Sequence, residues 1–176
     1  MSITLLLGGA RSGKSKRAEA LAKSSGQAIL YVATAPMMPD DSEWQARIEQ
    51  HKQSRPSVWQ CIEEPLALVE VLQQKSHSEQ LLLVDCLTLW LSNMMFEEQD
   101  IAMQTQRLCS QLQDCCGDVI LVSNEVGMGI VPESALGRRF RDEQGRLNQA
   151  VAAVADTVEL IVAGIPMHIK GGQSLI

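Results

Sequence analysis

The sequence predicts an α/β fold in which helices flank a mostly parallel sheet. Short apolar runs, typical of buried parallel strands, alternate with helix-forming segments along the chain. One strand-to-helix junction carries the full phosphate-loop pattern G-x-x-x-x-G-K-[ST], from Gly8 to Ser15. A later apolar run ends in Asp85, the arrangement of the Walker-B acid. Together these observations favour a sheet covered on both faces by helices.

The phosphate loop follows a predicted strand over 3–7 and precedes a predicted helix over 16–23. Its glycines allow a tight turn that brings backbone N–H groups to an anion, and the helix adds its positive N-terminal end. Lys14 is expected to reach the outer phosphates, and the Ser15 hydroxyl to join a Mg²⁺ shell. The alternative is a glycine-rich turn that binds nothing. The match at all four residues that the pattern specifies, between a predicted strand and a predicted helix, disfavours this alternative. We expect nucleoside triphosphate to bind at Gly8, Gly9, Ala10, Arg11, Ser12, Gly13, Lys14 and Ser15.

The next elements alternate in the same way. Apolar and β-branched residues predict a strand over 28–34. A helix is predicted over 42–54, because the acidic and hydroxyl residues 40–42 suit a helix start and Pro56 suits a helix end. A short strand is predicted over 58–62, and then a helix over 65–74, because proline suits the first position of a helix.

The second half of the chain continues the alternation. The predicted elements are a strand over 81–85, helices over 88–95 and 101–114, a strand over 119–123, a helix over 134–155 and a strand over 157–162. The tail to Ile176 has room for one more short strand. An acid at the end of a buried strand is a weak signal alone, but beside a phosphate loop it favours Asp85 as a Mg²⁺ ligand together with Ser15.

A cluster of basic residues is predicted on the second helix. The cluster consists of Arg47, His51, Lys52 and Arg55, on or just past this helix. Arg47 and His51 are four positions apart and therefore point the same way. Cations suit phosphate oxygens, and they lower the pKa of a histidine, which leaves more neutral, nucleophilic imidazole. Spacing alone favours the other interpretation, a solvated basic face with a surface histidine.

Several polar features are ambiguous. Glu63 and Glu64 are equally consistent with a contact to substrate hydroxyls and with support of the next helix start. The loop 124–132 follows a strand and contains two glycines, so it either lines the site or forms a turn. His77 and His168 are interpreted as surface histidines, and the adjacent Cys115 and Cys116 as a helix end.

Composition limits the classes of function. A length of 176 residues predicts one domain, 1–176. The net charge of −6 and the aromatic fraction of 3% disfavour nucleic-acid binding, and no apolar run is long enough to cross a bilayer. Five cysteines without metal-binding spacing, and no room for a secretory leader, favour a soluble protein of the cytoplasm.

A resemblance to a known family covers nearly the whole chain. The motifs in order are the phosphate loop, Arg47-Ile48-x-x-His51-Lys52-x-x-Arg55-Pro56, the run from Asn124 to Glu133, Phe140-Arg141-Asp142 and Gly145-Arg146-Leu147-Asn148-Gln149. Together they resemble the bifunctional adenosylcobinamide kinase / adenosylcobinamide-phosphate guanylyltransferase family of cobalamin biosynthesis. The run from Asn124 is the most distinctive of them.

The resemblance implies a RecA-like phosphate-loop core, a homotrimer and two reactions. ATP or GTP would phosphorylate adenosylcobinamide, and GTP would then transfer GMP to adenosylcobinamide phosphate through a guanylylated histidine, which His51 matches. It also implies that the nucleotide contacts Ala33, Thr34, Ala35, His51, Lys52, Gln53, Ser54, Glu63 and Asp85. Some relatives have two adjacent histidines where this chain has Gln50-His51, and some end the acid-bearing strand in Glu.

Two other functions compete with this one. A simple small-molecule kinase would use His51 only as a phosphate ligand, without covalent guanylylation. A nucleotide-switched regulatory or nucleic-acid-bound ATPase would belong to another class, which the acidic charge disfavours. No N-K-x-D motif is present, so the residues alone do not predict whether ATP or GTP is preferred.

Overall fold

The structure is a computed structural model that describes residues 1–36 and 56–171 and, between them, Ser42, Gln45, Ala46, Ile48, Glu49 and Lys52. The strands are β1 (Ile3–Gly8), β2 (Ala28–Ala33), β3 (Gln60–Glu63), β4 (Gln80–Asp85), β5 (Val119–Asn124), β6 (Thr157–Val162) and β7 (Ile165–Lys170). The helices are α1 (Lys14–Ser24), α2 (Leu68–Lys75), α3 (Leu87–Phe96), α4 (Ile101–Asp114) and α5 (Ala135–Val154).

All the strands form one sheet in the order β3-β2-β4-β5-β1-β6-β7. Every neighbouring pair is parallel except β6 and β7, which are antiparallel. The predicted α/β class with a mostly parallel sheet is therefore confirmed. Parallel strands bring their carboxyl ends to one edge, so the ends of β1, β4 and β5 lie side by side there.

Side chains alternate between two apolar layers, one on each face of the sheet. On the face covered by α1, Leu6, Leu83 and Ile120 pack with Ala18 and other buried residues. On the opposite face, the other helices cover Leu5, Leu82, Leu121 and their neighbours. Each strand of the sheet centre is buried on both faces, which is why its sequence is a nearly continuous apolar run.

Side-chain caps set the starts of two long helices. The Asp100 carboxylate accepts the backbone N–H of Met103 at 3.0 Å at the start of α4. The Ser134 hydroxyl accepts the N–H of Gly137 at 3.0 Å at the start of α5. Within the described part of the chain, no helix is long and apolar enough to span a membrane.

Two predicted boundaries are wrong. The strand predicted over 58–62 begins only at Gln60, because the residues before it form a turn. The helix predicted from Pro65 begins at Leu68. Glu64 explains this delay, since its carboxylate accepts the N–H groups of Leu66 and Ala67 at 2.9 Å each and holds them in a non-helical turn. The predicted helix over 42–54 lies mostly outside the described residues.

An ion pair between the partly exposed Arg17 and the buried Glu159 holds α1 against the sheet. Glu159 on β6 is 2% exposed and accepts two hydrogen bonds from the Arg17 guanidinium, at 2.7 and 2.8 Å. These bonds raise the pKa of Arg17 and lower that of Glu159. The exposed His168 on β7 lies 3.6 Å from the same carboxylate, and His77 is also exposed. Both histidines are on the surface, as predicted.

Candidate functional site

The phosphate loop joins β1 to α1 at the carboxyl edge of the sheet. Gly13 has a φ of 100°, in the left-handed region, and a Cβ there would meet the Gly164 Cα at 3.1 Å. Gly164 belongs to the turn between β6 and β7, and its N–H donates to the Ser12 carbonyl at 2.8 Å. The loop therefore rests on this turn, and only glycine fits the close approach.

Lys14 begins α1 and is 8% exposed. Its Nζ donates to the Gly9 carbonyl across the loop at 2.8 Å. Burial lowers the pKa of Lys14, and the nearby Asp85 opposes this shift to a smaller extent. A buried ammonium held by one neutral carbonyl is incompletely compensated, so an anionic ligand at the loop would stabilise its charged form.

Asp85 is the last residue of β4, as the sequence predicted, and its carboxylate accepts a hydrogen bond from Tyr31. The Tyr31 hydroxyl on the neighbouring strand β2 donates to Asp85 Oδ2 at 2.7 Å. The Tyr31 ring stacks on Trp59 with centroids 6.5 Å apart, and the Lys23 ammonium lies 5.9 Å from the Trp59 ring centroid. The Tyr31 hydroxyl therefore restricts the orientation of the Asp85 carboxylate.

The segment from Ala33 to Ala35 begins with the last residue of β2 and continues beyond the carboxyl end of that strand. Thr34 is fully buried, and its hydroxyl donates to the Cys86 carbonyl at 2.7 Å and accepts the Cys86 N–H at 2.9 Å. Asn93 donates to the Thr34 carbonyl at 2.9 Å. The Thr34 side chain thus fixes the backbone that follows Asp85, and within this segment Ala35 is the more accessible residue.

The carboxyl end of β5 lies between β1 and β4 and is held by a buried polar network. The Ser123 hydroxyl donates to Asn148 Oδ1 at 2.6 Å, and the Gln144 amide donates to both of these oxygens at 3.0 Å. Asn148 then donates to the Asn124 carbonyl at 3.0 Å. The Asn124 N–H donates to the Thr88 hydroxyl at 2.8 Å. The start of the loop 124–132 is therefore fixed beside the phosphate loop.

The predicted basic cluster is described only at Lys52. Its ammonium forms an ion pair with Glu63, and that hydrogen bond raises the pKa of Lys52. Arg47, His51, Gln53 and Ser54 lie outside the described residues. Glu63 therefore joins the end of β3 to the segment that contains His51 in sequence. Glu64 holds the turn before α2 and delays the start of that helix, so it does not support a helix start at Pro65.

Sequence reasoning missed the residues that support the site rather than form it. Tyr31 lies in a predicted apolar strand. The only sequence signal for its role is that a hydroxyl group in a buried strand needs a hydrogen-bond partner. Gln144 and Asn148 were part of a predicted helix, where two buried amides four positions apart indicate a polar network.

The oxygen donors at this edge fit Mg²⁺. Magnesium takes few protein ligands and keeps waters and substrate phosphates, so one hydroxyl (Ser15) and one carboxylate (Asp85) make a suitable set. Over the described ranges, no group of three His, Cys, Asp or Glu side chains could hold a metal ion by itself. The site matches a metal carried with a nucleotide better than a metal bound by the protein alone.

Comparison with known proteins gives consistent matches. The family model described as cobinamide kinase / cobinamide phosphate guanyltransferase matches residues 4–169. The bifunctional adenosylcobalamin biosynthesis protein CobP of Pseudomonas aeruginosa is 47% identical over 169 residues, which are 95% of this chain and 96% of that protein. The bifunctional protein CobU of Escherichia coli is 43% identical and covers 94% of this chain and 98% of its own.

Solved structures with low sequence identity share the fold. The flagellar accessory protein FlaH from Methanocaldococcus jannaschii is 13% identical with a TM-score of 0.59, covering 98% of this chain and 81% of its own. The RadB recombinase is 15% identical with a TM-score of 0.53, covering 90% of this chain and 73% of its own. These matches confirm the predicted RecA-like phosphate-loop fold.

Proposed function

The chain belongs to the cobinamide kinase / cobinamide phosphate guanyltransferase family, and we propose that it catalyses both reactions named there. It would first transfer a phosphoryl group from ATP or GTP to adenosylcobinamide. It would then transfer GMP from GTP to adenosylcobinamide phosphate and release pyrophosphate. The observation that carries this proposal is the phosphate loop with its buried Lys14, beside Asp85 at the same sheet edge.

The kinase reaction would use the residues at this edge. The loop N–H groups and Lys14 would hold the phosphates and stabilise the charge that develops during transfer. Ser15 and Asp85 would hold Mg²⁺, which neutralises phosphate charge when bound. The backbone of Ala33–Ala35 would contact the nucleotide from the next strand along the chain. The interaction of Tyr31 with Asp85 supports this arrangement, because it orients the proposed metal ligand in advance.

The guanylyl transfer would proceed in two steps through His51. An imidazole nitrogen would attack the α-phosphorus of GTP, so that a P–N bond forms as the P–O bond to pyrophosphate breaks. A phosphate oxygen of adenosylcobinamide phosphate would then attack the same phosphorus, and the P–N bond would break to restore His51. The Lys52–Glu63 ion pair supports this role, since it ties the residue next to His51 to the end of β3.

The assembly and location belong to the same proposal. We propose a homotrimer of chains in which 1–176 forms one domain, without a nucleic-acid partner. Large apolar side chains exposed on the edge strand β7, Ile165, Met167 and Ile169, offer a surface that assembly would cover. None of the five cysteines, all of which the structure describes, forms a disulfide, which supports a cytoplasmic location.

Replacement of His51 tests the covalent step. His51→Asn should still phosphorylate adenosylcobinamide but make no adenosylcobinamide-GDP, because asparagine can donate a hydrogen bond but cannot carry the nucleotide. Incubation with α-³²P-GTP should label the wild-type protein with a bond that acid breaks and alkali spares, and should leave the variant unlabelled. His77→Asn is the matched control, since His77 is an exposed histidine elsewhere on the surface, and it should label normally.

The alternatives predict different results. Equal labelling of His51→Asn and wild type, or equal loss of both reactions, would remove His51 from the covalent step. Absence of any label in the wild type, with kinase activity intact, would favour the simple small-molecule kinase. Stimulation of nucleotide hydrolysis by DNA or RNA would favour the regulatory ATPase instead.

A further inference from the structure

Asn124, the last residue of β5 and the first of the loop 124–132, lies at the sheet edge that carries the phosphate loop. Strand β5 sits between β1 and β4, and its register aligns Asn124 with Gly8 and Val122 with Asp85. Asn124 is therefore next to the first glycine of the phosphate loop and two residues beyond the partner of Asp85. Its Cα belongs to the same sheet edge as both motifs.

The alternation of β5 decides which face Asn124 lies on. Ile120 and Val122 pack in the apolar layer under α1, whereas Ser123 bonds to α5 on the opposite face. Asn124 therefore continues the α1 side of the strand. Leu81 and Leu83 belong to the same layer, so Asp85 also lies on the α1 side, as does Lys14 at the start of that helix.

The backbone of Asn124 is fixed, but its side chain is not used. Its N–H is held by Thr88 and its carbonyl by Asn148, and the next N–H, of Glu125, donates to the Gly8 carbonyl at 3.0 Å. In the part of the chain that the structure describes, the Asn124 side-chain amide makes no hydrogen bond, and the residue is only half-buried. A rigidly positioned, unpartnered amide at a ligand edge is typical of a binding residue.

We propose that the Asn124 side-chain N–H donates a hydrogen bond to the terminal phosphate of the bound nucleoside triphosphate; this inference rests on the proposed nucleotide site. The backbone of a phosphate loop surrounds the inner phosphates and its lysine reaches the outer ones. A neutral donor suits the remaining position, because it can bind a phosphate oxygen without pairing with Asp85. Asn124 would thereby distinguish a triphosphate from a diphosphate.

Binding measurements on variants of Asn124 test this. Isothermal titration calorimetry with Mg²⁺ would compare a non-hydrolysable β,γ-imido analogue of GTP with GDP. Asn124→Ala should weaken binding of the analogue about 10- to 100-fold, the range for a hydrogen bond to a charged group, and binding of GDP by less than about threefold. Asn124→Asp should weaken the analogue further, since a carboxylate would face a phosphate.

Controls separate this inference from the proposed function. Gln113→Glu makes the same amide-to-carboxylate change at an exposed position on α4 and should leave both affinities unchanged. Thermal unfolding checks that each variant is folded. Unchanged affinity for the analogue in Asn124→Ala, or equal weakening of the analogue and GDP, would overturn the role of Asn124. Failure of the wild type to bind either nucleotide would overturn the nucleotide site itself.

Discussion

Tyr31→Phe removes the hydroxyl group that donates a hydrogen bond to Asp85. Tyr31 is 3% exposed and its ring stacks on Trp59, contacts that phenylalanine keeps. The substitution breaks the 2.7 Å hydrogen bond to Asp85. A hydrogen bond to a charged group contributes about 1.5–3 kcal/mol, and because Asp85 is only half-buried and water can replace the donor, we expect about 1–2 kcal/mol. For a chain of this size that corresponds to a Tm lower by about 2–8 °C.

The same variant should also change the metal requirement. Without the hydroxyl, Asp85 is free to rotate, so the proposed metal ligand must be ordered when Mg²⁺ and nucleotide bind. The Mg²⁺ concentration for half-maximal kinase rate should rise, with little change in KM for the corrinoid. Differential scanning calorimetry gives Tm, and a Mg²⁺ titration of the kinase rate gives the second quantity. Trp59→Leu is the control, because it removes the stacking and leaves the hydroxyl bonded. An unaltered Tm together with an unaltered Mg²⁺ dependence would refute the reasoning.

Two further predictions follow from Lys14 and from a pair of glycines. Burial lowers the pKa of Lys14 below its ordinary 10.5, and bound phosphates should raise this pKa again. At alkaline pH below 10.5, binding of a triphosphate should therefore be accompanied by uptake of a proton. The affinity for the triphosphate should consequently fall as the pH rises. Calorimetry in two buffers of different ionisation enthalpy measures the uptake, which Lys14→Ala should abolish together with both reactions; uptake that persists in this variant would assign the proton to another group. Gly117→Ala should destabilise the protein, because its Cβ would lie 2.2 Å and 2.3 Å from the carbonyls of His77 and Gln80, whereas Gly145→Ala inside α5 meets nothing within 4 Å and should stabilise it by about 0.5–1 kcal/mol. Urea unfolding compares the two, and equal effects would contradict the packing described at Gly117.

The strands and the motif positions were predictable because their signals are local. The apolar run over 157–162 predicts a strand, and the apolar residues at helical spacing over 101–114 predict a helix, and both have in the structure the bounds that were predicted. Gly8–Ser15 and Asp85 are defined by residue type and by position at strand ends. Where a side chain competes with the backbone, local signals fail, as at Glu64, which delays the start of α2.

The supporting contacts were not predictable, because they join residues far apart in sequence. Tyr31 meets Asp85 and Asn148 meets Asn124 only when the strand order is known. The strand order itself follows from packing over the whole sheet, which no single segment specifies. The role of His51 came from resemblance to a family, and it stays a prediction.

The turn between β6 and β7 couples the edge of the sheet to the ligand. The Gly164 N–H donates to the Ser12 carbonyl, and Gly164 packs closely against Gly13. Opening of this hairpin would therefore remove contacts that support the phosphate loop. A ligand that binds only the intact loop therefore raises the free energy of opening the hairpin, and it does so by the amount of binding free energy that opening would lose. Amide hydrogen exchange along β7 would consequently slow when a nucleotide binds. Hydrogen exchange of the β7 amides would thus show whether a nucleotide occupies the phosphate loop.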